Sequence, residues 1–273
     1  MRAALPALLL PAAAAAPTPA APPTPAAPQP WAHSWDTAGA AWWGDFGYSL
    51  LSEPQAEFIA KNYFLASLEK CTGQGQGLKT EEGIYQTARQ LKKHNPAVKT
   101  TFYWHTGQAG IGCYAANHTF MTHQEWWLRD DRGEIVGHKD STHPSGQPRI
   151  DWTNEEAVAW WVSVPLAGAG APQLIDGVLA DGAGYEAIPH ISAARLDKLY
   201  TAKLAMLAKL QAEFDKAGRG GVVFGNGLSE YDQSPSDPHS RRILTATRGI
   251  QNEHFAAFEQ VDPKTGEVRT TTC

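Results

Sequence analysis

The sequence predicts an α/β fold built on a parallel sheet. From Trp31 onward, short apolar runs rich in β-forming residues alternate with longer segments of helical periodicity. Several of these runs are almost continuously apolar, as strands covered on both faces are. The first 30 residues stand apart, with 9 of the 19 prolines and 12 alanines. What remains suits one large α/β barrel or one to two ordinary domains, and 42% apolar residues with 10 tryptophans can fill its core.

Met1-Arg2 followed by Ala3 to Ala16, broken only by Pro6 and Pro11, has the positive start, apolar stretch and small cleavage-site residues of a secretory signal. The expectation is a signal peptide over 1–16 and a secreted protein. The stretch 17–30 alternates Ala, Thr and Pro without a large apolar side chain, so it reads as a flexible linker, leaving 31–273 as the folded domain. No other segment has the length and apolarity of a membrane span.

The candidate strands are Trp43 to Tyr48, Asn62 to Leu68, Lys99 to Trp104, Leu174 to Ala180, Gly221 to Phe224 and Thr247 to Gln251. Between them, Thr80 caps a helix with Ile84, Ala88 and Leu91 on one side, ended by Asn95-Pro96. Thr153 with Glu156 forms a capping box for a helix that Pro165 closes. Ser192 opens the longest helix, with Leu196, Leu199, Leu207, Leu210 and Phe214 in one stripe and Gly218 beyond its end. The span 107–149, rich in Gly, His and Trp, shows little periodicity and reads as a long functional excursion.

Charge and motifs exclude several function classes. A net charge of -5 and a pI near 6.0 supply no field for nucleic acid or an anionic membrane. Gly73 to Gly77 lacks the Lys and Ser/Thr of a phosphate loop, and there is no Gly-x-Ser-x-Gly elbow. Three cysteines are too few for a disulfide scaffold. Cys71 and Cys113 both follow candidate neighbouring strands and form the candidate disulfide of an oxidising compartment. Asn117-His118-Thr119 is a candidate glycosylation sequon on a surface loop. His105, His118, His123, His138 and His143 are clustered in sequence but show no metal-ligand spacing, so no metal is expected.

Catalytic groups in such sheets gather at the carboxyl ends of strands. In Ile-Asp-Gly-Val-Leu-Ala-Asp-Gly at 175–182, side-chain alternation makes Asp181 the candidate catalytic carboxylate and Asp176 a cap or turn residue. Glu253, after the last candidate strand, is its expected partner across the sheet mouth, in the pairing that glycoside hydrolysis requires. Glu69 and Lys70 end the second strand, Tyr103 and His105 the third, and Asn226 the fifth. With Asp151 at a helix start they are the candidate substrate-binding set, and the aromatic faces beside hydrogen-bonding groups suit a pyranose.

The ordered series Ser-Leu-Glu-Lys at 67–70, Phe-Tyr-Trp-His at 102–105, Glu-Trp-Trp-Leu-Arg-Asp at 125–130, Asp-Trp-Thr-Asn at 151–154, Ile-Asp-Gly-Val-Leu-Ala-Asp-Gly at 175–182 and Gln-Asn-Glu-His-Phe at 251–255 resembles the glycoside-hydrolase-like TIM-barrel proteins over roughly residues 43–259. The resemblance implies a TIM (β/α)8-type barrel with Asp181 ending strand four and Glu253 near the end of strand six. Only six candidate strands are present where a closed barrel has eight, so the expectation is either that two strands come from a missing C-terminal part or that the barrel is incomplete. The expected function is secreted glycoside hydrolysis of a polysaccharide or oligosaccharide without a cofactor. Its rivals are a non-catalytic carbohydrate-binding protein, a truncated inactive homologue, and a metal-dependent hydrolase or lyase.

Overall fold

The computed structural model of the protein describes residues 41–44, 48–108, 112–138, 147–170, 174–216, 220–227, 238–251, 257–261 and 268–272. The expected leader and linker lie outside these residues.

Six strands form one parallel sheet: β1 (Ala41–Gly44), β2 (Leu65–Leu68), β3 (Lys99–His105), β6 (Gly177–Asp181), β7 (Val222–Asn226) and β8 (Gly249–Gln251), hydrogen-bonded in that order. Sheet order follows chain order throughout. That is the winding of a (β/α) barrel; a doubly wound sheet reverses direction part-way. Among the described residues β1 and β8 do not pair, and the sheet is a curled half-barrel. Asp181 therefore ends the fourth strand of the sheet.

Side-chain alternation in β3 divides the two faces. Phe102 and Trp104 point outward to the helices. Phe102 meets Tyr85 of α2 (Thr80–His94), and Trp104 stacks on Trp161 of α4 (Glu155–Ser163) with ring centroids 6.1 Å apart. The Trp104 indole N–H donates to the Trp161 carbonyl at 3.1 Å, so this buried ring leaves no polar group unpaired. Tyr103 and His105 point to the other face, the one that carries Asp181.

The remaining helices are α1 (Glu53–Asn62), α3 (Ala116–Thr122), α5 (Ala193–Lys216) and α6 (Pro238–Ala246). In α5 the buried stripe of Leu196, Leu199, Leu207, Leu210 and Phe214 also contains Lys203, 2% exposed. Two further pairs of strands are antiparallel: β4 (Gly137–His138) with β5 (Gln147–Pro148), and β9 (Ala257–Val261) with β10 (Val268–Thr272). The excursion after β3 is held by aromatic packing. Phe120 stacks on Trp160 at 5.6 Å, and Trp126 lies 5.4 Å from the same ring.

Several local expectations are corrected. The cap of α4 is Asn154, whose side chain accepts from the Glu156 and Ala157 amides, because the Thr153 hydroxyl is taken by Asp151. Helical geometry also continues past Pro165 as a 3-10 turn over Val164–Gly170. Thr80 does not cap α2; it is the first helical residue, and its hydroxyl accepts from the Cys71 amide at 3.0 Å. Asn117 sits in the first turn of α3, so the sequon is helical and not in a loop. Asp176 is neither cap nor turn residue. It is buried immediately before β6, 2.7 Å from the Lys92 ammonium and 3.0 Å from the Thr100 amide, and ties α2 to the sheet. Gly218 lies outside the described residues.

Candidate active site

The carboxyl ends of β2, β3, β6 and β7 converge on Asp181. Its Oδ2 accepts from the Tyr103 hydroxyl of β3. Its Oδ1 accepts from the Asn226 side-chain amide of β7 at 2.9 Å and from the Gly182 backbone N–H at 2.9 Å. Burial raises the cost of its charge, but the His105 imidazolium, protonated in the acid range where Asp181 titrates, and these three donors outweigh that cost and hold the carboxyl below its ordinary range. Asp181 is thus a partly buried carboxylate kept ionised by directed hydrogen bonds.

Glu69 follows β2 and has the opposite environment. Burial pushes its carboxyl up, Lys70 at 3.5 Å opposes the rise, and the charge of Asp181 adds to it. Tyr103 stands between them in the sheet, only 5% exposed, with the Lys70 ammonium 4.7 Å above its ring. Its phenol is raised by burial and by Asp181, so it remains a donor.

Above the acid range His105 is neutral and held in one tautomer. Its Nδ1 accepts from the Gly107 and Gln108 amides at 3.0 and 2.9 Å, which leaves the proton on Nε2, and burial pushes its pKa down to about 4. Gly182 next to it has φ +65°, and a Cβ there would come within 2.8 Å of the imidazole. The turn that follows Asp181 therefore has room for glycine alone.

Of the residues singled out in the sequence, Tyr103, Asp181 and Asn226 are joined by direct hydrogen bonds, Glu69 and Lys70 border them through Tyr103, and His105 lies against the following turn. Asp151 stands apart. Its Oδ1 accepts from the Thr153 amide and hydroxyl, and it lines an open groove of about 390 Å³ with Gln124, Glu125, Trp127, Arg129 and Arg195. Glu253 and His143 lie outside the described residues. Among the described residues no group of three or more His, Cys, Asp or Glu side chains can hold a metal ion, and no helix is long and apolar enough to cross a membrane. Cys71 and Cys113 form a disulfide, with Cα atoms 5.3 Å apart, that ties the turn after β2 to the excursion after β3.

The sequence reading missed three participants in this region. Arg149 makes a bidentate pair with Glu186, its Nη2 reaching Oε1 at 2.7 Å, and Lys203 of α5 reaches the turn after Asp181. Arg149 and Glu186 carried no sequence signal. Lys203 did, as the one charged side chain on an otherwise apolar stripe.

No family model and no curated protein matches the chain. Solved structures that it resembles include a variant of the glycoside hydrolase domain of PelA from Pseudomonas aeruginosa, with 15% identity over 85% of this chain and 72% of that one, at a TM-score of 0.45. They also include the cycloalternan-degrading enzyme from Trueperella pyogenes in complex with isomaltose, with 12% identity over 73% and 33% of the two chains, at 0.46. A third is the alpha-amylase from Geobacillus thermoleovorans complexed with acarbose, with 11% identity over 71% and 47%, at 0.42. These are remote likenesses; the fold assignment rests on the strand order and the site on its own residues.

Proposed function

We propose that the protein is a glycoside hydrolase acting on a polysaccharide or oligosaccharide through a pair of carboxyl groups at the sheet mouth. The observation that carries this reading is the division of labour between Asp181 and Glu69. One is held ionised by three donors and the other is pushed towards its protonated form by burial, as a nucleophile or base and its proton donor must be. Asp181 serves as the anionic partner, stabilising or attacking the anomeric centre as positive charge develops there. A carboxylic acid protonates the leaving oxygen. Glu69 has the environment for that role, and Glu253 is the second candidate on its position in the sequence. Lys70, exposed beside Tyr103, supplies a donor for sugar hydroxyls, while Tyr103 and Asn226 hold Asp181 and His105 backs the turn that follows it.

The Cys71–Cys113 disulfide and the leader over 1–16 support a secreted protein. The chemistry proposed needs no cofactor.

The test is release of reducing sugar from a panel of plant, algal and microbial polysaccharides by wild type, Asp181→Asn, Glu69→Gln and Glu253→Gln. Asp181→Asn is expected to abolish release while folding is retained. The acid variant is recognised because an aryl glycoside with a good leaving group, which needs no protonation, restores its turnover. Retention on a polysaccharide column without sugar release would replace the hydrolase reading by that of a binding protein. Chelator-sensitive release would point instead to a metal-dependent enzyme.

A further inference from the structure

Lys203 is a buried cation whose hydrogen bonds go to one turn of backbone. It is 2% exposed on the apolar stripe of α5. Its ammonium donates to the Gly182 carbonyl at 3.0 Å and the Gly184 carbonyl at 2.5 Å, and it lies 4.7 Å over the Trp152 ring and 5.6 Å from that of Tyr200. Among the described residues it has no carboxylate within ion-pair distance; Glu186, Arg149 and His105 bear on it only through the field. Burial pushes its pKa down to about 7. Burying such a group costs stability, and an apolar side chain of similar length would suit the stripe better. Its presence therefore calls for a role beyond packing.

The turn it holds is the one that aims Asp181. The Gly182 carbonyl also accepts from the Thr106 hydroxyl at 2.6 Å, and the Thr106 amide donates to the Asp181 carbonyl at 2.8 Å. The Ala183 amide donates to the Asn226 carbonyl at 2.7 Å, and Asn226 returns its side-chain amide to Asp181. Gly184 is pressed so closely on Gly227 that a Cβ would fall 2.3 Å from its carbonyl oxygen. Lys203 thus closes a continuous network that runs from α5 through residues 182–184 to both oxygens' surroundings at Asp181.

We propose that Lys203 is a positioning residue for Asp181, clamping the turn over residues 182–184 so that the carboxylate keeps its donors from Gly182 and Asn226. The proposal rests on the role given to Asp181 above, and its test includes readouts that need no substrate.

The experiment compares wild type, Lys203→Met and Lys203→Arg in the whole protein. Loss of two charge-assisted hydrogen bonds predicts amide exchange at Ala183 to Tyr185 at least tenfold faster in Lys203→Met, with partial restoration in Lys203→Arg. The Asp181 carboxyl, followed by carbon-13 resonance without substrate, is expected to titrate at higher pH in Lys203→Met. With a hydrolysed substrate in hand, kcat falls roughly tenfold while KM stays within about twofold, as loss of transition-state positioning requires. The thermal midpoint does not fall, which separates positioning from a structural role. Unchanged exchange and an unchanged Asp181 titration would overturn the proposal, and so would a kcat that follows thermal stability alone. A wild type that hydrolyses no glycan would remove the proposed function but leave the exchange and titration results to decide the clamp. Should Lys203→Met not fold, Lys203→Gln, which keeps a donor without the charge, takes its place under the same criteria.

Discussion

Asp181 and Glu69 differ less in chemistry than in what surrounds them, and the difference has a measurable signature in pH. Activity requires Asp181 ionised and its partner acid protonated. The acid limb of kcat/KM is therefore expected below the ordinary aspartate range, because Asp181 is lowered, and the alkaline limb above the ordinary glutamate range, because Glu69 is raised. Glu69→Gln should remove the alkaline limb; if that limb stays in place, the proton donor is another group. Tyr103→Phe deletes one donor to Asp181 and is expected to move the acid limb upward, read from the same profile; an unmoved limb would mean that this hydrogen bond does not hold the carboxylate ionised. At this scale the sequence spoke through strand alternation, which separated Asp181 from Asp176, and through polar residues ending apolar runs. It was silent where two residues were equally fit for a role. Thr153 and Asn154 can both cap a helix, and only the hydrogen bond from the Thr153 hydroxyl to Asp151 decides between them. Lys203 was legible in principle, because it falls four residues after Leu199 and four before Leu207, on the buried side of the helix.

Elements are joined here by a few cross-links whose removal has a computable cost. The Cys71–Cys113 disulfide closes a loop with a sequence separation of 42, for which the chain-entropy estimate is about 4 kcal/mol. Replacing both cysteines by serine should lower the urea midpoint accordingly; a loss under about 1 kcal/mol would mean that the excursion is held by its aromatic packing alone. The Lys92–Asp176 pair, with side chains 16% and 9% exposed, ties α2 to the foot of β6. Lys92→Met leaves a buried carboxylate with only Lys99 at 3.6 Å and the Thr100 donors, and is expected to cost about 3 kcal/mol in the same measurement. The helices α2 and α5 were readable from their apolar periodicity. The excursion after β3 was not, because its aromatics fold against Trp160 of α4, a contact between segments far apart in sequence.

The whole molecule carries a pH dependence set by its buried cation. The folded state lowers the Lys203 pKa from the ordinary 10.5 to about 7, so between those values the unfolded chain binds the proton that the folded chain lacks. Stability from this group rises with pH across that window, and below about 7 the penalty is felt in full. The gain in thermal midpoint on Lys203→Met is therefore expected to be larger at pH 6 than at pH 9, and a gap that widens with pH would contradict the burial of the charge. The fold class was legible because parallel strands covered on both faces write themselves as apolar runs. Strand order came only from the resemblance to a (β/α) barrel, since the runs themselves do not say which of them pair. That order has a consequence for biosynthesis. Because each strand of the six-stranded sheet docks on the sheet strand made before it, the sheet can grow along one edge as the chain leaves the ribosome. Asp181 emerges with Tyr103 already in place and waits 45 residues for Asn226. A nascent chain arrested before Asn226 would hold a nearly complete sheet and an Asp181 still lacking one of its donors, so the geometry proposed for chemistry is among the last features to mature.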